Sequence, residues 1–488
     1  MGMNKISSGA FVEKQENKSV QNTLETLSAF AQVHLLGLRK IHAIIKAVGS
    51  TLDMFITQDY ERESTKGTGF LGARYFLVNA PSDIKRVLLE EATFPKHRVT
   101  AWIFKPLIGA STLAAEHGAK WRAQRNLVEN VLREVTPEVM IPRVYLAMNK
   151  TMKKLSTESE TGKVNAGKVA AELSWDVTCQ FLFGMSSDQI DISQDELQNF
   201  AKFEKSAAFA VVLYQTGISM KLLSFLFRRK AKAARELINR IIHNLKNTEM
   251  PSAFSVLNRL IGEKFSHEKE NNNVLDQLTC LSLPAGESMT VTTTLLLYLL
   301  GNYPEHQHRL REEANEIKSL IGQENLTQSQ LKALVFANSF LNEALRLYPP
   351  IPVLYREAAS DAALGDVKCP FKSMVFVTPW VLHRHKSYWA KPLEFNPERF
   401  ISNRHKASDE GIKNSVYIPF GLGQRRCPGE SLAKLQLIIF LVETVRHFEV
   451  IAVDDAAPEV VGRISLKLKR PLFVKLRPIV LGHNLRVH

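Results

Sequence analysis

Apolar residues recur at three- and four-residue steps along most of this chain, and that spacing predicts helices. From about Gln21 to Phe55, Leu24, Leu27, Phe30 and Val33 share one such face. From Trp121 to about Leu345 nearly every apolar run keeps helical spacing, broken by short polar turns. Elsewhere the period shortens. Tyr75–Asn79 (YFLVN) reads as a strand, with Pro81–Glu90 as the helix after it, and Met374–Thr378 (MVFVT) reads as a second strand. Ser465–Leu468 and Leu472–Lys475 read as a hairpin turned at Lys469-Arg470-Pro471. Ser266–Asn273 and Asn403–Asn414 are polar enough to be loops. The expected fold is mainly α with a small β region built from both chain ends, an α+β layout.

Composition narrows the partners. With 488 residues, 45% of them hydrophobic, the chain can bury one large core. No linker divides it, so residues 21–488 are expected to form a single domain behind a flexible segment, residues 1–20. A net charge of +14 admits nucleic acid, an anionic membrane or an acidic protein as partner. The basic residues are dispersed, without the aromatic-interleaved block of single-strand binders, which argues against nucleic acid. Cys179, Cys280, Cys369 and Cys427 show no C-x-x-C spacing, which favours a reducing compartment over a zinc module or disulfide framework. The first twenty residues lack an apolar signal region, and Ile6 stands where a myristoylation site needs Ser or Thr. Leu295–Leu300 and Leu437–Val442 are too short to span a bilayer. A cytoplasmic protein is expected. The mixed apolar and basic run Lys221–Lys232 is either a loop and solvated basic helix or a peripheral membrane contact.

The candidate chemistry centres on Phe420-Gly421-Leu422-Gly423-Gln424-Arg425-Arg426-Cys427-Pro428-Gly429. Gly421 and Gly423 allow a sharp turn and close approach to a flat ligand. Phe420 offers a ring to pack beside it, and Arg425 can meet a carboxylate. Pro428 suits the first turn of a following helix, which would put Cys427 at a helix N-terminus that favours a thiolate. A thiolate in a glycine loop is what axial ligation of haem iron requires. A buried free cysteine after a glycine turn is the bland alternative.

The stretch resembles the cytochrome P450 signature F-G-x-G-x-R-x-C-x-G at every fixed position, including Gly429. Upstream, Glu343-Ala344-Leu345-Arg346, Arg356 and Asn396-Pro397-Glu398-Arg399-Phe400 follow the family's order and spacing. The resemblance implies haem b (iron protoporphyrin IX) ligated by Cys427. It also implies a structural charge triad of Glu343, Arg346 and Arg399, and a propionate contact at Arg356. Trp121 and Arg125, four apart on one helix face, match the family's W-x-x-x-R propionate clamp. Similarity extends roughly from Tyr75 to Pro478. His385 and Lys391 depart from positions that are usually acidic, and read as surface drift.

The family's oxygen-activation helix, [AG]-G-x-[DE]-T-[TS], is matched poorly by Ala285-Gly286-Glu287-Ser288-Met289-Thr290. One register puts Ser288 at the acid and Met289 at the threonine. Counting back from Pro304 instead makes Glu287 the acid and Ser288 the alcohol, which keeps a proton-relay pair. Glu287, Ser288 and Thr290 are the candidate catalytic residues. Pro284 removes an N–H from this helix, so either the ladder opens there for a relay water or the helix merely kinks and Ser288 bonds back within it.

The resemblance thus implies a monooxygenase inserting one oxygen atom from O2 into a hydrophobic small molecule. Electrons would come from NAD(P)H through an external partner: an acidic ferredoxin, a flavodoxin or a flavoprotein reductase, docking near Lys120, Arg122, Arg426 and Lys434. The alternatives are oxygen-independent or peroxide-driven chemistry on the same fold, and a haem-binding protein without turnover.

Overall fold

A computed structural model describes residues 50–479, apart from 56, 71–72, 110–116, 160–161, 191–193, 215–217, 247–255, 257–267, 320–324, 402–414 and 454–455. The expected segments 1–20 and Asn403–Asn414, and nearly all of the helix from Gln21, lie outside the described residues.

The long helix Glu268–Asn302 organises the fold. Leu296, Leu297, Leu299 and Leu300 enter a core shared with helices Pro137–Ser159, Ala166–Leu182, Val335–Leu347 and Glu430–His447. Val291 and Leu295 enter a second core shared with helices Arg98–Ile108, Gln194–Tyr214 and Phe225–Lys246. Burying apolar residues all round is what keeps this one helix central. Its start corrects a sequence expectation, because Glu268–Asn273 belongs to its first turns and is not a loop.

Four strands form the main sheet, in the order Lys66–Phe70, Ala73–Leu77, Met374–Val377, Leu354–Glu357. The two central strands pair in parallel and bring the two ends of the chain together, as expected. The C-terminal hairpin is not the expected one. Leu466–Leu468 pairs with Val460–Gly462, and Phe473–Pro478 pairs with Phe448–Ala452 and Val164–Asn165. A turn at Arg463–Ser465 closes the real hairpin, with the Arg463 N–H donating to the Ser465 carbonyl at 2.9 Å. Pro471 only carries the chain on to the next sheet.

His385 is a further correction. It is fully buried, not on the surface; a ring nitrogen lies 2.9 Å from the Arg62 carbonyl and the ring stacks on Tyr388. Lys391 is exposed, as expected. Among the described residues no helix is long and apolar enough to cross a membrane.

Candidate functional site

Between the two cores lies a cavity of about 470 Å³. Val99, Ile103, Phe181, Val211 and Val353 give it apolar walls, and Phe420, Cys427 and Gly429 line it from the cysteine loop. Among the described residues that line it there is no Asp or Glu, whereas Lys96, Arg125, Arg356, Arg425 and Arg463 all line it.

The loop folds as its glycines require. Gly421 and Gly423 have φ of 76° and 74°, and a Cβ on Gly423 would collide with the Leu88 carbonyl oxygen. A 3-10 turn at Gly423–Arg425 then lets the Cys427 N–H donate to the Phe420 carbonyl at 2.9 Å. Helix Glu430–His447 starts only after Gly429, its N-cap, so Pro428 precedes the helix and does not form its first turn. The exposed face of Cys427 opens into the cavity. Burial of the rest pushes the thiol pKa up, against the opposing effect of the Gly429 N–H. Burial thus opposes the thiolate form that a helix-end position favours.

Arg425 does meet a carboxylate, that of Glu91, with Nε at 2.8 Å, and its guanidinium lies 3.7 Å from the centre of the buried Trp121 ring. Arg125, one helical turn beyond Trp121, pairs with Glu129 at 2.6 Å. Arg356 differs. It is buried on strand Leu354–Glu357, its Nε has no hydrogen-bond partner, and its side chain makes no ion pair among the described residues. Burial lowers its pKa to about 10. Lys96 bridges to it through the backbone and is likewise without an acidic partner among the described residues. Burial, then Arg425 and Arg356, bring the Lys96 pKa down to about 8. Lys96 and Glu91 escaped sequence reasoning, since neither lies in a motif and both reach the loop from across the fold.

These residues fit a haem. A side chain at Gly429 would enter open space, so the loop leaves room beside the sulfur for a flat macrocycle. Lys96 and Arg356, neither in an ion pair among the described residues, supply what two propionates need. Below the loop, Glu343 and Arg346 are fully buried, with Arg346 Nε at 2.7 Å from Glu343 and Arg399 Nε at 3.1 Å from the same carboxylate. Arg346 also donates to the carbonyls of His383, Pro392 and Glu394. His383 completes the frame by accepting from the Ile418 N–H at 2.9 Å, just ahead of the cysteine loop.

On the long helix, Cys280, Leu281, Ala285, Ser288, Met289 and Thr292 face the cavity, a set with helical spacing. Glu287 and Thr290 are not among the lining residues. Glu287 pairs with Lys467, which also meets Glu204 at 2.8 Å. Thr290 donates to the Gly286 carbonyl at 2.7 Å. Ser288 donates to the Ala285 carbonyl at 3.2 Å. Helix geometry is continuous through Pro284, whose side chain lies outside the described residues, so the ladder does not open into a separate turn. Thr292, which the sequence reading did not single out, lines the cavity one turn beyond Ser288.

The sequence model of the family Cytochrome P450 matches residues 67–474. Cytochrome P450 3A16 of Mus musculus is 26% identical over 425 residues, covering 83% of this chain and 82% of that protein. Cytochrome P450 82C3 of Arabidopsis thaliana is 34% identical over 222 residues, 44% of this chain and 43% of that protein. The solved structure of retinoic acid-bound cyanobacterial CYP120A1 superposes with a TM-score of 0.71 at 20% identity, covering 85% of this chain and 92% of that one.

Proposed function

The chain belongs to the cytochrome P450 family of haem-thiolate monooxygenases, and from that premise we propose that Cys427 is its iron ligand and Ser288 its proton-relay alcohol. Enzymes of this family use haem and a redox partner to oxidise hydrophobic small molecules. The bound haem supplies reductive activation of dioxygen, with the cysteinate pushing electron density onto the iron. This chain's own residues do the rest. Lys96, Arg125 and Arg356 hold the propionates by charge-assisted hydrogen bonds. Arg425, fixed between Glu91 and Trp121, sets the cysteine loop against that cationic wall. Ser288 and Thr292 present hydroxyls on the cavity face, where Ser288 Oγ holds a proton for transfer. Glu287, engaged by Lys467, acts from behind the helix and not within the cavity. The apolar walls exclude water and select a largely hydrophobic substrate.

Electrons from NAD(P)H arrive through an acidic partner, a ferredoxin, flavodoxin or flavoprotein reductase. It docks on exposed Lys120 and Arg122 together with Arg426 and Lys434, although Glu430 partly neutralises the latter two. The protein is cytoplasmic and touches anionic membrane through exposed Leu222 and Phe225, beside Lys221 and Arg228.

The observation that carries this reading is the opening of Cys427 into a cavity whose described lining residues include cations and no acid. The reduced carbon monoxide complex should absorb far to the red of a His-ligated haem, and Cys427→His should move the band to a globin-like position. A red-shifted band that survives the substitution refutes the ligand assignment.

A further inference from the structure

The haem accounts for the cations around the cysteine loop, but it leaves Arg463 unexplained. Arg463 lies in the turn between strands Val460–Gly462 and Leu466–Leu468 and is one of the residues that line the cavity. The charges acting on Lys96 and Arg356 include Glu91 and Arg425; Arg463 is not among them. It belongs to a different part of the cavity wall.

The other cations of this hairpin all have acids. Lys467 has Glu204 and Glu287, while Lys469 and Arg470 share Glu459. Arg463 makes no ion pair among the described residues, and its only hydrogen bond there is the backbone one to Ser465. A guanidinium is always charged and offers a planar fork of donors that matches a carboxylate. On an apolar wall with no acid among its described lining residues, such a group is ready to take a negative charge that a ligand brings.

Its setting is fixed. The Gly462 N–H donates to Ser50 Oγ at 2.9 Å, the Leu466 N–H donates to the Pro350 carbonyl at 2.8 Å, and Ser465 Oγ donates to Glu204 at 3.0 Å. Three segments thus hold the turn, so the arginine is presented from a rigid support. Thr51 lines the cavity beside it, packed on Gly462, and its hydroxyl is buried with no hydrogen-bond partner. Thr51 thus adds a hydroxyl without a hydrogen-bond partner against the glycine that precedes Arg463.

We propose that the substrate is an apolar molecule bearing a carboxylate, anchored by Arg463 with Thr51 in support while its hydrocarbon body lies along the cavity toward the cysteine loop. This rests on the cavity being the substrate pocket of the haem enzyme, as argued above. A straight-chain fatty acid and a polycyclic terpenoid acid share the required chemistry.

The test is a binding titration of the haem-loaded protein with dodecanoic, tetradecanoic, hexadecanoic and abietic acids and their methyl esters. Binding is followed by the shift of the haem absorbance band and independently by calorimetry. Wild type should prefer at least one acid to its ester by about tenfold to a hundredfold, the range expected for hydrogen bonds to a charged group. Arg463→Gln should abolish that preference by weakening the acid alone, Arg463→Lys should retain part of it, and Thr51→Val should weaken the acid roughly two- to tenfold. The chain length or ring system preferred separates the two sources. Equal affinity for acids and esters in wild type, no binding of any acid, or an acid preference that survives Arg463→Gln would overturn the proposal. The carbon monoxide band of each variant reports separately on the haem-thiolate reading, so the two cannot fail unnoticed together.

Discussion

Two clusters of arginines flank the cysteine loop, and they are built in opposite ways. Beneath it, Arg346 meets Glu343 and three backbone carbonyls, while Arg399 shares the same carboxylate. Above it, Arg356 is also buried yet has an unpartnered Nε and no ion pair among the described residues, and Lys96 stands beside it likewise unpaired, while Glu91, engaged by Arg425, acts on both only from further away. Burying a charge is costly unless the protein pairs it. A cation that the chain compensates internally therefore belongs to the scaffold, and one that it leaves uncompensated at a cavity wall marks a place for a ligand's anion. Arg425 lies between the two classes, paired to Glu91 and yet facing the cavity.

The contrast breaks most visibly at Glu343. Glu343→Ala strands Arg346 and Arg399 and also removes the acceptor of the Asn396 N–H. The expected cost is about 3–5 kcal/mol, enough to threaten the fold itself. Chemical denaturation and soluble yield should both fall, with or without haem. A variant that loses haem but keeps wild-type apoprotein stability would contradict the scaffold role.

Arg356→Ala should behave in the opposite sense. It removes a buried cation that forms no ion pair among the described residues, so the apoprotein should be as stable as wild type or more so. Haem binding should weaken by about 1.5–3 kcal/mol, the value of a charge-assisted contact. Arg125→Ala should weaken haem less, because Glu129 already competes for that guanidinium. Transfer of haem to an acceptor protein, read beside circular dichroism, measures both. Destabilised apoprotein in Arg356→Ala would place this arginine with the scaffold instead.

The scaffold cluster was legible in the sequence and the ligand-facing one only in part, for a physical reason. The cysteine loop carries its own turn chemistry, and the Glu343–Arg346 pair, a spacing common on helix surfaces, gained its scaffold role from the resemblance to the family's ordered motifs. Arg356 could be picked out by its place among those motifs. Lys96, Glu91 and Arg463 could not, because what defines each is a partner, or its absence, in a distant segment. The C-terminal hairpin failed for the same reason. Leu466–Leu468 had two neighbouring runs to pair with, and the Arg463–Ser465 turn carries no glycine or proline to announce it. Pro284 left two outcomes open, and the structure keeps the helix continuous through it with Ser288 bonding back to the Ala285 carbonyl.

The smallest expected effect concerns the long helix, where both candidate alcohols bond back to their own backbone and only their direction separates them. Ser288 and Thr290 are rotated by about 200° from one another, so they cannot address the same point in the cavity. Ser288 lines it; Thr290 donates to Gly286 on another face. Ser288→Ala should divert reducing equivalents into hydrogen peroxide and lower product per NAD(P)H several-fold, about 1 kcal/mol in partitioning. Ser288→Thr should be tolerated, since it keeps the hydroxyl and adds one methyl. Thr290→Ala should leave coupling unchanged, because it removes only a local bond inside the helix. Thr292→Ala tests whether the next cavity-facing hydroxyl shares the load, and a partial loss there would extend the relay by one turn. Coupling is measured for all four variants with a substrate that wild type binds and oxidises. Uncoupling by Thr290→Ala with Ser288→Ala silent would reverse the assignment of the two faces. If no alanine variant uncouples, the proton reaches the site through water or the substrate, and the helix contributes shape alone.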